Sequence, residues 1–468
     1  MKRQTVSLCL IARNEEATIG MAIKSVLAVV DEVIVVDTGS TDNSRIIAEG
    51  YGARVIDLTW SDDFAAARNV ALTEASCDWV LVLDADEFLQ PVRPVEFQRL
   101  LHNPGVAGYR MLRNNQVPDD SGSPYSLRLF RNLKEVRYQY PIFEQVEPSL
   151  ALYCESVDQT IVNSELVILT ENDSDDRSTR RRERNLRILR KALTAYPGEP
   201  YFPYRLAREG INRLDDEVLP VAGLNRSLGY LNQSWRLING MSAEQKRRLA
   251  WLPDLGVTVV SGLTTLNRLE EARPVMDQMV RLFPELPTIR LQAAVLEIRA
   301  LEKLGHDDPH ETRQQRVSRL TAVLEDMCSL PGPADQSEAD RRLTGLYPLR
   351  YLGELALLDG RVSDAVGYFE RALSLDPEYS FGWLGMAECS RFAGDRKRAL
   401  KLYLRTVTEN QWNHRAWLRG CDLMLEMDFR DNAASWWRRV STNFPEHPEV
   451  MAGGIDGGGR EPALHLNA

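Results

Sequence analysis

The sequence predicts an α/β N-terminal domain with a mostly parallel, Rossmann-like sheet, followed by an all-α repeat solenoid. Over residues 5–89, short apolar runs alternate with helical segments, which is typical of a doubly wound sheet. Toward the C-terminus, small and aromatic residues recur every 34 positions, the period of a solenoid built from helix pairs. Acidic residues follow two of the apolar runs and indicate where a ligand binds.

The N-terminal elements follow one another in a regular order. Buried strands are predicted at residues 6–11, 32–36, 54–57 and 79–83. Helices are predicted over residues 17–29, from residue 40 onward and over residues 61–75. The turn after the first strand reads Arg13-Asn14-Glu15-Glu16 and lacks the Gly-x-Gly-x-x-Gly of a dinucleotide-binding fold, which disfavours an oxidoreductase.

Carboxylates stand where two of these strands end. Asp37 closes the second strand, and Asp84, Asp86 and Glu87 follow the fourth. Parallel strands bring their carboxyl ends to one edge, where open α/β sheets bind ligands. Two carboxylates at this edge repel each other unless a cation or donor relieves them, and they suit a divalent cation that holds a diphosphate. The pattern indicates a nucleotide-sugar site, although an Asx turn feeding a helix cap is the alternative for Asp37.

Composition excludes several classes of protein. The chain has 468 residues, 44% of them hydrophobic and 26% charged, which predicts a soluble protein of two or three domains. A formal charge of -10 argues against a whole-protein binder of nucleic acid or anionic membranes. The six cysteines form no Cys-x-x-Cys pair, so a reducing cytoplasm is expected. Residues 6–12 are interpreted as a first strand rather than a signal peptide, and no apolar run reaches the roughly 18 residues of a membrane span.

The C-terminal region carries an internal repeat. Trp383 and Trp417 are 34 residues apart, and so are Gly360, Gly394 and Asp428. This period predicts three tetratricopeptide repeats, with small residues where paired helices touch. They are expected over 346–379, 380–413 and 414–447, with a weaker unit over 253–286. Residues 305–345 are interpreted as an insertion or long loop, and the two tryptophans as core residues.

A strongly basic segment precedes the repeats. Residues 177–191 hold eight basic side chains against one acid, Glu183. One interpretation is an anion-binding face for the acceptor or a diphosphate. The other, which charge runs favour, is a solvated helix face.

Four motifs over about residues 4–150 stand in the same order as in a known family. They are Ile11-Ala12-Arg13-Asn14-Glu15, Val36-Asp37-Thr38-Gly39-Ser40-Thr41-Asp42, Asp63-Phe64-Ala65-Ala66-Ala67-Arg68-Asn69 and Asp84-Ala85-Asp86-Glu87. With them the chain resembles the family-2 glycosyltransferases of the GT-A fold. It is most similar to bacterial members with a helical tetratricopeptide extension, which resemble the sublancin-type peptide S-glycosyltransferases and the glucosyltransferases of lipooligosaccharide cores.

The resemblance implies roles for the motif residues. Asp37 would contact the uracil or ribose of a nucleotide, Asp84 the ribose or a metal, and Asp86 a Mg²⁺ or Mn²⁺ ion bridging the diphosphate. Arg68 could reach the sheet edge from its helix and contact base or phosphate oxygens, with a surface salt bridge to Asp63 or Glu74 as the alternative. The nucleotide-sugar-binding residues so expected are Asn14, Glu15, Asp37, Arg68 and Asp84.

Inversion at the anomeric carbon requires a base on the acceptor side. Glu87 and Glu144 are the candidates, and Glu144 is preferred because residues 140–146 match a His-Glu element of the family. The chain departs from that element, since Phe143 occupies the position of the family's histidine and Thr170 the position of a second family histidine. Any metal would then depend on Asp86, with Asp84, the diphosphate and water.

The sequence therefore predicts an inverting glycosyltransferase, with a UDP-hexose as the expected donor and a protein, peptide or glycolipid acceptor chosen by the helical repeats. A catalytically degenerate domain that serves as a tetratricopeptide binding scaffold is the alternative. A cytoplasmic location without nucleic-acid partners is expected, and a homodimer is considered. The expected domains are a GT-A domain at 1–165, a helical region with degenerate repeats at 166–345, the three repeats at 346–447 and a disordered tail at 448–468.

Overall fold

The computed structural model describes residues 3–113, 125–170, 175–211, 221–303, 312–329, 342–444 and 450. The chain divides into two units at Pro197 and Gly198. The predicted tail therefore lies outside the described residues, apart from residue 450. None of the helices in the described part has the length and hydropathy that a bilayer span requires.

The N-terminal unit is built on one mixed sheet of eight strands. Its order is β3-β2-β1-β4-β7-β6-β8-β5. Strands β1 to β4 run parallel, as the sequence predicts, whereas β7 lies antiparallel between β4 and β6. The strands are β1 (Val6–Ala12), β2 (Glu32–Asp37), β3 (Arg54–Asp57), β4 (Trp79–Val82), β5 (Glu87–Leu89), β6 (Val106–Arg113), β7 (Tyr125–Arg131) and β8 (Thr160–Thr170). The last strand continues past residue 165, and the domain boundaries proposed from the sequence stay predictions.

Helices cover both faces of this sheet. Alternate residues of a strand point to opposite faces, so Leu8 and Leu10 pack in one core cluster while Cys9 and Ile34 pack in another. Strands buried on both faces read as continuous apolar runs, which is why the sequence reveals them. The helices of this unit are α1 (Ile19–Val26), α2 (Ser44–Gly50), α3 (Phe64–Glu74), α4 (Pro94–Leu101), α5 (Glu147–Val157) and α6 (Asp175–Ala195).

The described part of the C-terminal unit is helical. Its helices up to residue 329 are α7 (Tyr201–Ile211), α8 (Val221–Asn239), α9 (Ala243–Arg247), α10 (Leu252–Thr265), α11 (Leu269–Leu282), α12 (Pro287–Lys303) and α13 (Arg313–Ser329). The interpretation of residues 305–345 as a loop was wrong for α13, whose buried leucines, valine and methionine pack in the core of the unit. The remaining helices follow a π-helical turn at Arg342–Leu346. They are α14 (Tyr347–Leu358), α15 (Val362–Leu375), α16 (Ser380–Phe392), α17 (Arg396–Glu409), α18 (His414–Glu426) and α19 (Arg430–Asn443).

The backbone repeats with the period read from the sequence. Gly360, Gly394 and Asp428 all adopt left-handed conformations, with φ of 73°, 80° and 62°, in the turns within the pairs α14–α15, α16–α17 and α18–α19. Asn267 has the same conformation, with φ 58°, in the turn between α10 and α11. A left-handed residue lets the chain reverse between two helices. The weaker unit at 253–286 thus shares the turn geometry of the other three.

Glycines permit the closest helix contacts in these pairs. The buried ring of Phe369 on α15 faces Gly353 of α14 and Gly385 of α16. A Cβ atom at Gly385 would lie 2.2 Å from ring atom Cε1 of Phe369. The helices approach closely only because neither glycine carries a side chain.

We expect Gly385→Ala to destabilise the C-terminal unit by about 1–3 kcal/mol, because the added methyl group overlaps a ring that has no room to move. Gly367→Ala on α15 is the matched control, since a Cβ there meets no atom within 4 Å. The control should be neutral or stabilising by up to about 1 kcal/mol. Urea unfolding followed by far-UV circular dichroism measures both, and equal behaviour of the two variants would contradict the packing described.

Candidate functional site

The loops after β1 and β2 are joined at the carboxyl edge of the sheet. The backbone N–H of Asn14, which has φ 56°, donates to Ser40 Oγ at 3.0 Å, and Asn14 Oδ1 accepts from the N–H of Thr41 at 2.7 Å. The N–H of Glu15 donates to Ser44 Oγ at 2.7 Å. The first two motifs therefore form one surface, and Asn14 positions the second loop through its own side chain.

The carboxylate of Asp37 is buried and organises the turn that follows it. Its Oδ1 accepts from the N–H of Gly39 at 3.1 Å, and from the N–H and Oγ of Ser40 at 2.9 and 2.8 Å. This is the Asx turn that the sequence allowed as the alternative. Within the described residues, these side-chain bonds all go to Oδ1. The turn thus fixes the group while leaving Oδ2 as an acceptor for a ligand.

Arg68 of α3 joins two acidic parts of the site. Its Nη2 donates to Asp84 Oδ1 and its Nε to Glu144 Oε1, both at 2.6 Å. The side chain is 9% exposed, and the guanidinium lies 5.4 Å from the centre of the Tyr138 ring. Its third nitrogen, Nη1, is buried without a hydrogen-bond partner among the described residues. The site thus contains a fixed cation with one unused donor.

The surface salt bridge considered for Arg68 does not form. Asp63 instead caps its own helix, accepting from the N–H of Ala66 at 2.8 Å. Glu74 pairs with Arg54 at 2.5 Å. Arg68 is therefore directed into the sheet edge, as its position on the helix predicts.

A second arginine extends the charge network. Nη2 of Arg128 on β7 lies 2.8 Å from Glu87 Oε1 and 3.6 Å from Asp84 Oδ2. Burial raises the pKa of Asp84, but the charges of Arg68 and Arg128 outweigh it and hold that pKa well below its usual range. Arg113 adds a further positive charge 4.0 Å from Glu87. The negative charges of Asp84 and Glu87 are thus compensated by arginines of the protein itself.

The structure separates the two candidate bases. Glu87 is 1% exposed, binds Arg128 through Oε1 and accepts the N–H of Asp84 on Oε2 at 2.9 Å. Burial raises the pKa of Glu87 more than the neighbouring cations lower it. A carboxylate engaged on both oxygens inside the protein is poorly placed to meet an acceptor. This favours Glu144, which Arg68 holds through Oε1.

Asp86 differs from the other carboxylates of the edge. Burial raises its pKa to about 6, and the negative charges of Asp84 and Glu15 add to the effect. Its side chain remains 26% exposed, and Nη2 of Arg181 lies 3.9 Å from Oδ2. The negative charge of Asp86 is thus only weakly compensated.

The residues of the edge define what kind of metal they fit. No group of three or more His, Cys, Asp or Glu side chains is placed to hold an ion in the described ranges. Asp84 is paired with Arg68 and Arg128, whereas Asp86 lies 3.9 Å from a single arginine; both side chains are partly exposed. Phe143 directly precedes Glu144, and Thr170 pairs with Glu87 between β8 and β5, so both positions at which the resemblance expects a histidine border the site. The donor set fits a Mg²⁺ or Mn²⁺ ion that takes one or two carboxylates and otherwise phosphate oxygens and water.

Helix α6 packs against the same region with its basic residues. Arg187 donates to Asp62 Oδ1 at 2.7 Å, and Lys191 binds the other oxygen of that carboxylate. These hydrogen bonds lower the pKa of Asp62 to about 2. Arg184 lies over the ring of Phe64, 4.9 Å from its centre. The basic segment is therefore not a fully solvated face, although Arg181 and Arg187 are about half exposed.

The family comparison agrees with this geometry. Residues 7–161 match the profile of Glycosyl transferase family 2. The N-terminal unit contains a glycosyltransferase family 2 domain. The matched residues include the joined loops after β1 and β2, the arginine of α3 and all the carboxylates of the edge, so the expectation of a family-2 glycosyltransferase is confirmed for this domain.

Relatives share this glycosyltransferase domain over part of their length. A TPR repeat-containing protein of Synechococcus elongatus is 43% identical over 147 residues, which is 31% of this chain and 36% of that protein. The lipopolysaccharide core biosynthesis glycosyltransferase LpsC of Rhizobium meliloti is 30% identical over 28% of this chain and 50% of its own. The prophage-derived glycosyltransferase SunS of Bacillus subtilis is 24% identical over 48% of this chain and 53% of its own. The chain thus spans about a third to a half of these relatives.

A solved structure also matches part of this chain. It is glucosyl-3-phosphoglycerate synthase from Mycobacterium tuberculosis in complex with Mn²⁺, uridine diphosphate and phosphoglyceric acid. The match has a TM-score of 0.31 and 24% identity, and it covers 38% of this chain and 74% of that one.

Arg113, Arg128 and Tyr138 were missed by the sequence interpretation. Arg128 lies between Leu127 and Leu129 on β7, and a largely buried arginine of this kind requires an acidic partner. The partner itself could not be named, because β7 pairs with β4 across a long stretch of chain. No comparable signal marks Tyr138.

Asp86→Asn tests the charge balance at the edge. A carboxylate whose folded pKa is raised from 3.8 to about 6 destabilises the fold when ionised, so the variant should be more stable by about 1–2 kcal/mol above about pH 6. The gain should shrink as the pH falls from about 6 toward 4, where the wild-type group becomes neutral. Urea unfolding of wild type and variant across this range measures it.

Asp62→Asn is the opposite control for this experiment. The pKa of Asp62 is lowered, so its charge stabilises the fold above its unfolded pKa of about 3.8, and the contribution is lost as the pH falls toward about 2. The Asp62 variant should therefore be less stable than wild type near neutral pH. A loss of stability in Asp86→Asn at neutral pH would contradict the uncompensated charge.

Proposed function

We propose that this protein is an inverting glycosyltransferase that moves a sugar from a nucleotide-sugar donor, a UDP-hexose, to a protein, peptide or glycolipid acceptor. The observation that carries the proposal is the arrangement of Asp86 beside the Asp84–Arg68–Glu144 bridge at the carboxyl edge of a family-2 domain. This arrangement combines a carboxylate that would hold a cation for the diphosphate, Asp86, with a positioned base, Glu144. Both are needed for transfer from an activated sugar.

The donor would lie across the loops after β1, β2 and β4. Asp37, fixed by its turn, would accept a hydrogen bond from the base or ribose through Oδ2. Glu15 and Asp84 border the same surface. A Mg²⁺ or Mn²⁺ ion held by Asp86 would stabilise the negative charge of the leaving nucleoside diphosphate.

Glu144 would act on the acceptor. Its Oε1 is held by Arg68, so Oε2 is the oxygen that takes the proton from the attacking hydroxyl or thiol. The new bond forms on one face of the anomeric carbon as the bond to the diphosphate breaks on the other, which inverts the configuration. The bridge to Arg68 fixes the direction from which the base approaches.

The helical unit would choose the acceptor. Helical repeat arrays present extended surfaces on which partners bind. The name of LpsC, a lipopolysaccharide core biosynthesis glycosyltransferase, suits a glycolipid acceptor. Self-association as a homodimer and a cytoplasmic location are parts of the same proposal.

A binding scaffold is the second candidate. The replacement of two family histidines by Phe143 and Thr170 favours it, since both border the site. Against it stands the cost of Arg68, whose buried Nη1 lacks a partner. An unsatisfied buried hydrogen-bond donor costs about 1–3 kcal/mol. A site for an anionic nucleotide would offset this cost through the charge of the guanidinium, whereas a scaffold would not.

We expect a UDP-sugar to stabilise the N-terminal unit in a manner that depends on Mn²⁺ and on Asp86. Ligand at about a hundred times its dissociation constant stabilises the folded state by roughly 2.7 kcal/mol. Thermal shift with UDP- and GDP-sugars, with Mn²⁺ or EDTA, measures this, and Asp86→Ala is the control that should not respond. Absence of a shift with every nucleotide would leave the scaffold as the better candidate.

Glu144→Gln should reduce turnover without reducing donor binding. The amide oxygen still accepts from Arg68 but takes no proton, so slow release of UDP from a UDP-sugar, with water as acceptor, should fall by about 10²-fold or more. Glu147→Gln, a nearby glutamate bound to Arg110, is the matched control and should retain wild-type turnover. Unchanged turnover in Glu144→Gln would exclude it as the base.

A further inference from the structure

We propose that Arg181 and Arg184 of α6 bind the diphosphate of the nucleotide donor, an inference that rests on the proposed glycosyltransferase function. The ligand chemistry is that of a nucleoside diphosphate at the edge marked by Asp86. The two arginines supply positive charge and fixed N–H donors that the carboxylates of the edge lack.

The first argument is the anchoring of α6. The salt bridges from Arg187 and Lys191 to Asp62 hold the helix against the turn that precedes α3. Arg184 lies one turn before them and packs its guanidinium on Phe64, at the start of α3. Arg181 lies one turn earlier still, beside Asp86. Successive turns on one face of α6 thus lead from the anchor to the proposed diphosphate position.

The second argument is the incomplete bonding of Arg184. Its Nη2 reaches Asn185 Oδ1 at 3.3 Å, but its Nε is buried with no hydrogen-bond partner among the described residues. Burial lowers the pKa of Arg184, and the charges of Arg181 and Arg187 lower it further, against the opposing effect of Glu144 and Glu15. A buried donor in an excess of positive charge is stabilised by an anion.

The third argument is the distribution of charge. Asp84, Glu144 and Glu87 are already paired with arginines, which reduces the negative charge that a diphosphate would meet at the edge. The Arg181–Asp86 pair, at 3.9 Å, is longer than a direct charge-assisted hydrogen bond. A diphosphate oxygen in this gap would accept hydrogen bonds from the guanidinium of Arg181. Its negative charge would also be offset by a cation held by Asp86.

The fourth argument concerns the type of residue. A guanidinium presents its donors as a planar fork that matches phosphate oxygens, and it keeps its charge at any physiological pH. Arginines from α6 would therefore stabilise the negative charge of the leaving diphosphate.

The test compares nucleoside diphosphates with their nucleosides. The full chain is titrated calorimetrically with UDP and GDP, and separately with uridine and guanosine, in Mn²⁺ and in EDTA. Arg181→Gln and Arg184→Gln should each weaken binding of the preferred diphosphate by about tenfold or more, as expected for a lost charge-assisted contact. Binding of the nucleoside should not change, because the base and ribose contact other residues.

Arg190→Gln is the matched control on the same helix. Arg190 is exposed, and it lies on the side of α6 opposite Arg181. The same loss of charge there should change diphosphate binding by less than about twofold. Equal weakening by Arg190→Gln would show a general effect of charge and overturn the proposal. Should Arg184→Gln fail to fold, the half-exposed Arg181 still provides the decisive variant.

The outcomes separate this inference from the function on which it rests. If the wild-type chain binds no diphosphate, the donor site itself fails and the inference with it. If the diphosphate binds, requires Asp86, and is held equally well by both arginine variants, the donor site stands and the role of α6 is overturned. A loss that affects diphosphate and nucleoside alike would show that the arginines only maintain the fold, which also overturns the proposal.

Discussion

The guanidinium of Arg68 is the constraint on which the N-terminal site depends, because it joins parts of the chain that are far apart in sequence. Asp84 follows β4, whereas Glu144 belongs to a segment after β7. The same segment is fastened to α3 by Asn69, whose side chain exchanges hydrogen bonds of 2.9 and 2.8 Å with the backbone of Tyr138. Removing one member of a buried ion pair leaves its partner uncompensated. The position of Glu144 thus depends on the same contacts as the fold.

The Arg68 bridge also explains why one carboxylate differs from the rest. Charges alternate along the edge in the series Glu144, Arg68, Asp84, Arg128 and Glu87. Each acid of the series has an arginine within reach, so none needs a ligand for neutralisation. Asp86 lies outside the series, and burial raises its pKa to about 6. With its neighbours paired to arginines, Asp86 is the carboxylate of the edge at which a cation gains most.

The sequence predicts what local patterns encode and misses what distant pairing decides. The parallel strands and the helix bearing Arg68 follow from apolar runs and spacing, and the 34-residue period gives the turn positions such as Gly394. The burial of Glu87 follows from β5 pairing with β8, which no local pattern encodes. Arg128 reaches the site through the antiparallel insertion of β7 for the same reason. Helix α13 was read as a loop because Pro331-Gly332-Pro333 dominated that segment.

The basic helix α6 shows how a charge run acquires a specific role. Eight like charges in one segment repel each other, and a solvated helix relieves this through water and salt. In α6, Arg187 and Lys191 form salt bridges with Asp62, and Arg184 stacks on Phe64. These contacts fix the position of the helix in addition to relieving the repulsion. If the donor binds as proposed, the leaving diphosphate needs positive charge close to it. The anchoring of α6 brings Arg181 to within 3.9 Å of Asp86, so the helix that the charge run forms is positioned where that charge would act.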